Sequence, residues 1–240
     1  LYTGAEGAGL NELLAPMGIP SWVAVSGLTI CCTFFINAFN FVDGIDGLAC
    51  SLAILYTAII GSLFATTGQT AIGCILFSLS GATLGLLYYN RPPAKIYMGD
   101  TGSMLLGFTI FIFAARFVST FSPGNLHNAV VQIHSRGSVV IILVAVLFLP
   151  MYDAIRVFIL RASRGISPLK ADRTHLHYYL LDAGFSHGRS VVIILATNVL
   201  LIVTGFLMQD ANPFLTLLFI TLESSALMFG VYRLRGKKIK

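Results

Sequence analysis

Seven stretches of about twenty apolar residues divide this chain, at roughly 21–42, 48–66, 70–89, 102–120, 137–157, 190–208 and 213–232. Lipid offers no hydrogen bonds to a backbone, so each stretch must coil into a helix that satisfies its own amides and carbonyls. The expected fold is all-α: a polytopic transmembrane bundle of about seven spans, with residues 1–240 forming one integral-membrane domain. Composition agrees, because only 10% of residues are charged, against about 25% in a soluble domain. Cys31, Cys32, Cys50 and Cys74 sit inside apolar runs without a CxxC pattern. There they act as small hydrophobes rather than disulfide or metal partners.

Seven spans alternate sides, which sorts the connections into two groups. One group holds 43–47, 90–101, 158–189 and the tail from 233. The other holds 1–20, 67–69, 121–136 and 209–212. With span ends included, the first group carries Arg91, Lys95, Arg156, Arg161, Arg164, Lys170, Arg173, Arg189, Arg233, Arg235, Lys237, Lys238 and Lys240, thirteen of the fifteen basic residues. The second has only Arg116 and Arg136. Positive loops stay in the cytoplasm, so the first group is expected on that face and residues 1–20 outside.

Three polar clusters fall on the expected cytoplasmic face. The first is NAFNFVDGIDGLA, Asn37 to Ala49. Asn37, Asn40, Asp43 and Asp46 recur every third residue and share one row if the helix continues through them. A lone Asp-Gly would read as a helix end, but four amides and carboxylates beside an apolar span read as a site. The second is NRPPAKIYMGDTGS, Asn90 to Ser103. Its glycine-flanked helix start suits a phosphate, and Asp100 suits a hard cation such as Mg²⁺. The plainer alternative is an N-cap made by Asp100 or Ser103. The third is ADRTHLHYYLLDAGFSHGR, Ala171 to Arg189. Leu176, Tyr179, Leu180 and Ala183 keep helical spacing after Asp172, which predicts a short amphipathic helix with Arg173, His175 and His177 in its first turn. Helical zinc pairs prefer i and i+4, so His-x-His reads better as a donor cluster for phosphate oxygens, with a positive-inside loop as the alternative. His187 reads as a surface residue, and His127 and His134 fall in the outer loop.

These three motifs, in this order, resemble those of the polyprenyl-phosphate N-acetylhexosamine-1-phosphate transferases, glycosyltransferase family 4. DRTHLH and LLDAGFSH are closer to the WecA/TagO-type branch than to the MraY type. The resemblance implies transfer of a sugar-1-phosphate, GlcNAc-1-phosphate foremost, from a UDP-N-acetylhexosamine to polyprenyl (undecaprenyl) phosphate. UMP is released, and the product starts a cell-wall or surface glycan. It implies a multi-pass enzyme of the plasma membrane with a cytoplasmic site, a Mg²⁺ requirement with Mn²⁺ as the alternative ion, no nucleic-acid partner, and leaves a homodimer open. Carried over residue by residue, Asp100 resembles the metal-binding aspartate, and Asp43 the essential aspartate, catalytic or metal-holding. Asn40 and Asp46 line the same site, Asn90 and Tyr97 resemble nucleoside-binding positions, His175 and His177 the catalytic histidine motif, and Arg173 a substrate-binding cation beside it. The family also carries a DDxxD-type loop and about four spans upstream. The chain starts at Leu1 without either, so the resemblance implies a longer parent, and residues 1–240 alone are expected to transfer poorly.

Rival readings are weaker. A CDP-alcohol phosphotransferase would continue its Asp-Gly motif with Ala-Arg and further spaced aspartates, where Leu48, Ala49 and Cys50 stand here. A transporter would place its acidic residues mid-span. A non-catalytic homologue that keeps the motifs is separable only by assay.

The charge asymmetry generates a test. Single cysteines at positions 95 and 170, with the native cysteines removed, are expected to resist an impermeant thiol reagent in intact cells. Labelling of both from outside would reverse the orientation.

Overall fold

The computed structural model of the protein describes residues 20–121, 133–167 and 173–238. Eight helices lie within them: α1 Ser21–Val42, α2 Leu48–Thr66, α3 Thr70–Asn90, α4 Gly99–Thr120, α5 Arg136–Ser163, α6 Leu176–Asp182, α7 His187–Leu207 and α8 Pro213–Lys238. Seven of them, all but α6, are long and apolar enough to cross a membrane. The expectations for residues 1–19, His127, Lys170 and Asp172 lie outside the described residues.

The most buried span is α2, which packs on α1, α3, α4 and α7. Tyr56, Ile60 and Phe64 are fully covered along it. Between helices in lipid no hydrophobic drive separates one apolar neighbour from another, so close packing on small residues does the work. A Cβ on Gly73 of α3 would stand 3.0 Å from the Gly61 carbonyl of α2, so those two backbones meet over glycine. On the other flank α5 packs on α1, α7 and α8, and the short α6 rests on α7 and α8.

Boundaries differ from the apolar count in instructive places. Helix α5 runs to Ser163 rather than 157, because its late charges are internal. Arg161 is buried, and Arg156 bonds Asp153 one turn back. Helix α7 starts at His187 rather than 190 because the Ser186 hydroxyl accepts from the Arg189 amide at 3.4 Å and caps it. Helix α4 starts at Gly99, with no side-chain cap, which removes the N-cap reading of Asp100 and Ser103.

One expectation is overturned. The row Asn37–Asn40–Asp43–Asp46 does not run on one helix. Helix α1 ends at Val42, Asp43 is its C-cap, and the chain turns until Gly47, at φ +81°, starts α2. A left-handed residue there costs glycine nothing. Asn37 turns back and donates to the Thr33 carbonyl of its own helix.

Candidate functional site

The turn between α1 and α2 is the hub around which the polar clusters assemble. On one side the Asp43 carboxylate accepts from the Gly99 amide at 3.2 Å, which places it over the first turn of α4. Asn40 donates to Asp100 Oδ1 at 3.1 Å and to Ser103 Oγ at 2.8 Å. Asn40, Asp43, Asp100 and Ser103 therefore meet, although sixty residues separate the two pairs. Burial pushes the Asp43 carboxyl up to about 6, the Asp100 charge adds to the rise, and the Gly99 amide opposes it. A carboxylate in that state is short of positive charge.

On the other side of the turn Asp46 faces away from Asp43. Its Oδ2 accepts from the Ala94 amide at 3.2 Å and stands 3.3 Å from His187 Nδ1. Asn90 is buried; its Oδ1 accepts from the Gly47 amide at 2.9 Å and its Nδ2 donates to the Ile96 carbonyl at 2.9 Å. In this structure Asn90 ties the α1–α2 turn to the loop before α4. Tyr97, in that same loop, is 74% exposed and its ring is open to a planar partner.

The histidine segment closes the third side. His175 is the N-cap of α6 and His177 lies in its first turn. Both are buried, with rings parallel to within 3° and centroids 5.8 Å apart. His177 covers Gly44, where a Cβ would run into its Nε2. Burial pushes the His177 pKa down to about 4, so at neutral pH it is an uncharged ring that can still donate one N–H. Its Nε2 is buried with no hydrogen-bond partner. Arg173 precedes α6 rather than lying in its first turn; it is 68% exposed, pairs with Asp182 at 3.5 Å and lies over Tyr178. Asp182 also takes Arg235 of α8 at 3.0 Å, and the same guanidinium lies 4.4 Å from the Tyr179 ring.

Two participants escaped the sequence reading. His187, read as a surface residue, is the partner of Asp46, and no spacing rule links positions so far apart. Asp153 accepts from His175 Nδ1 at 2.8 Å and from Arg156 Nη2 at 2.7 Å. Its signal was present, as a carboxylate inside the apolar run FLPMYDAIRVF, where a charge is rarely idle.

Asp43 and Asp100 fit a hard divalent cation, which prefers oxygen donors and uses one or two carboxylates alongside phosphate oxygens. Among the described residues no group of three metal-ligating side chains occurs, so a cation here would complete its shell from substrate and water. An apolar cavity of about 870 Å³ lies between α1, α4, α5 and α8, with Leu28, Phe111, Leu147 and Leu217 on its walls and Tyr152 and Arg156 among its few polar neighbours.

Comparison with known proteins follows the same lines. A family model described as glycosyl transferase family 4 matches residues 3–118. The chain is 30% identical over 200 residues to a probable undecaprenyl-phosphate N-acetylglucosaminyl 1-phosphate transferase of Bacillus subtilis, covering 83% of this chain and 52% of that protein. It is 36% identical to the decaprenyl-phosphate N-acetylglucosaminephosphotransferase of Mycolicibacterium smegmatis, over 66% of this chain and 41% of the relative. It is 31% identical to the undecaprenyl-phosphate alpha-N-acetylglucosaminyl 1-phosphate transferase of Escherichia coli K12, over 74% and 46%. The chain spans about half the length of the curated relatives it matches. With seven membrane-length helices and these relatives, it is a multi-pass membrane protein.

The fit of His177 over Gly44 is testable by chemistry alone. Gly44→Ala is expected to cost about 1–3 kcal/mol through overpacking and to push the ring out. Diethylpyrocarbonate should then modify His177 in the variant and spare it in the wild type, as read by peptide mass mapping. Equal protection in both would show that the ring and the turn do not touch.

Proposed function

Since this chain belongs to glycosyl transferase family 4, we propose that it carries out transfer of N-acetylglucosamine-1-phosphate from a UDP-sugar to polyprenyl phosphate at the cytoplasmic membrane surface. The observation that carries the reading is the Asp43–Asp100 pair at the ends of two membrane helices. Two carboxylates brought to the first turn of one helix beside an apolar bundle would hold a divalent cation, which would neutralise charge on two anionic substrates. The relatives' printed names supply the acceptor and the sugar phosphate.

An oxygen of the lipid phosphate forms the new bond to the sugar-bearing phosphorus. The bond from that phosphorus to the bridging oxygen breaks, and UMP leaves with the electron pair. Such transfer is mainly positioning and charge neutralisation. Asp43 and Asp100 would hold Mg²⁺, which would supply neutralisation of pyrophosphate charge. The second ionisation of a phosphate monoester lies near pH 6, so the nucleophile needs no strong base, and Asp43 acts by holding charge. Asn40 fixes Asp100 through its amide. His175 presents an imidazole toward the reacting phosphates, Tyr97 offers a ring for the uracil, and Asp46 and Asn90 shape the loop that carries it. The apolar cavity leading away from Arg156 takes the acceptor's isoprenoid tail.

Because the chain spans about half the length of its relatives, transfer is measured on the full-length gene product. Supplied with UDP-GlcNAc, undecaprenyl phosphate and Mg²⁺, it is expected to release UMP and form lipid-linked product, with UDP-GalNAc as the competing donor; residues 1–240 alone are expected to transfer poorly. Asp100→Asn should lower turnover by about 10²-fold or more, the scale for losing one charge-stabilising group at a reacting centre, while expression stays intact. Wild-type turnover in that variant, with an unchanged Mg²⁺ requirement, would remove Asp100 from the site.

The raised pKa of Asp43 sets a pH dependence with a definite sign. Because its carboxyl is protonated below about pH 6, Mn²⁺ affinity, followed by electron paramagnetic resonance, should be flat at pH 7–8 and fall as pH drops through 6. In Asp100→Asn the like charge is gone, so the midpoint should move to lower pH. An affinity that is level from pH 8 to 5 would show that Asp43 does not hold the ion.

A further inference from the structure

Asp153 does none of the work assigned so far, yet it is among the most completely engaged side chains in the molecule. It lies on α5, within a membrane-length helix, with its side chain 13% exposed. Its Oδ2 meets His175 Nδ1 at 2.8 Å. Its Oδ1 takes Arg156 Nη2 at 2.7 Å and the Leu176 amide at 3.1 Å. Arg156 continues to the Thr174 carbonyl and lies over the Tyr179 ring at 5.4 Å. One carboxylate thus grips the N-terminus of α6 by backbone and by side chain together.

We propose that Asp153, backed by Arg156, is a positioning residue that fixes the orientation and tautomer of the His175 ring. This rests on the transferase reading above, in which His175 faces the reacting phosphates. Arg156 donates to the carboxylate from two nitrogens, Nε at 3.2 Å as well as Nη2, and so holds it as an ionised acceptor. An ionised carboxylate accepts only, so the nitrogen it meets must carry the proton. His175 is therefore an Nδ1–H imidazole when neutral, and Nε2 is the nitrogen left to face substrate. The ring is held on its faces too, by Phe41 at 5.2 Å and by the parallel His177. A carboxylate behind an imidazole, orienting it without taking its proton, is a known way to prepare a histidine for chemistry. The neighbouring His177 has no such partner.

The decisive measurement is made on the wild-type protein. Long-range ¹H–¹⁵N NMR of histidine-labelled protein in detergent, with the His175 signal assigned from His175→Gln, is expected to show Nδ1–H with bare Nε2. An Nε2–H tautomer at His175 overturns the proposal without any further variant. Asp153→Asn should switch that tautomer and lower kcat by about 10- to 100-fold, the range for losing an orienting partner behind a site ligand, with KM for UDP-GlcNAc unchanged. Asp153→Glu, which restores the charge, should recover part of kcat. A wild-type kcat in Asp153→Asn, or parallel loss in kcat and KM with no recovery in Asp153→Glu, would reduce Asp153 to packing. Should Asp153→Asn not fold, the wild-type tautomer decides alone. Absence of transfer by the full-length wild-type protein counts against the transferase reading, whereas the tautomer tests the Asp153–His175 arrangement by itself.

Discussion

The Asp43 carboxylate on the Gly99 amide ties the end of α1 to the start of α4. Much of the polar face depends on that contact. In lipid the middles of the helices can carry only apolar packing, and polar groups are driven to helix ends. Helix ends also leave backbone donors unpaired. Asp43 meets one such donor on α4, and its own helix stops to let it do so. With α1 and α4 joined there, Asn40 reaches Asp100 and Ser103, and Gly44 is set beneath His177.

Two kinds of carboxylate coexist within this small region. Asp153 is compensated by Arg156 and by His175, so its burial ends in an orienting contact. Asp43 and Asp100 form no ion pair among the described residues, and Asp43 is left holding a proton up to about pH 6. Like charges brought close raise a carboxyl pKa, as burial does. The first arrangement is finished in the protein alone. The second gains its missing charge only from something that binds, which is why the cation reading attaches to Asp43 and Asp100 and not to the better-bonded Asp153.

The spans were legible because lipid imposes one rule on every residue of a long apolar run. Starts and stops were within a few residues wherever composition changed sharply, as at Val42 and Leu48. They slipped where a charge is internal, as at Arg156 and Arg161 on α5. The three polar clusters also came together as expected, at one end of the bundle. The face of each side chain was not legible. Periodicity put Asp46 on the row of Asp43, but it cannot foresee that the helix stops between them, and so Asp46 faces His187 instead. The partners of Arg173 and His187 were hidden for a related reason: Arg173 meets Asp182 and His187 meets Asp46, and the sequence of α6 carries no mark of its neighbours α7 and α8.

The pair His175 and His177 shows how far a motif leaves roles open. Two residues apart, the rings lie parallel, yet they answer to different partners. His175 precedes the helix in extended geometry, with ψ 153°, which lets its ring turn to α5 and Asp153. His177 is already helical and lies over the α1–α2 turn, where only a glycine leaves it room. One ring gains a carboxylate and a defined tautomer; the other loses water and stays neutral, with its pKa near 4. The chemistry of the histidine motif is thus set by Asp153 and Gly44, each more than twenty residues away in sequence, and both belong to the helices and turns that the apolar pattern laid down first.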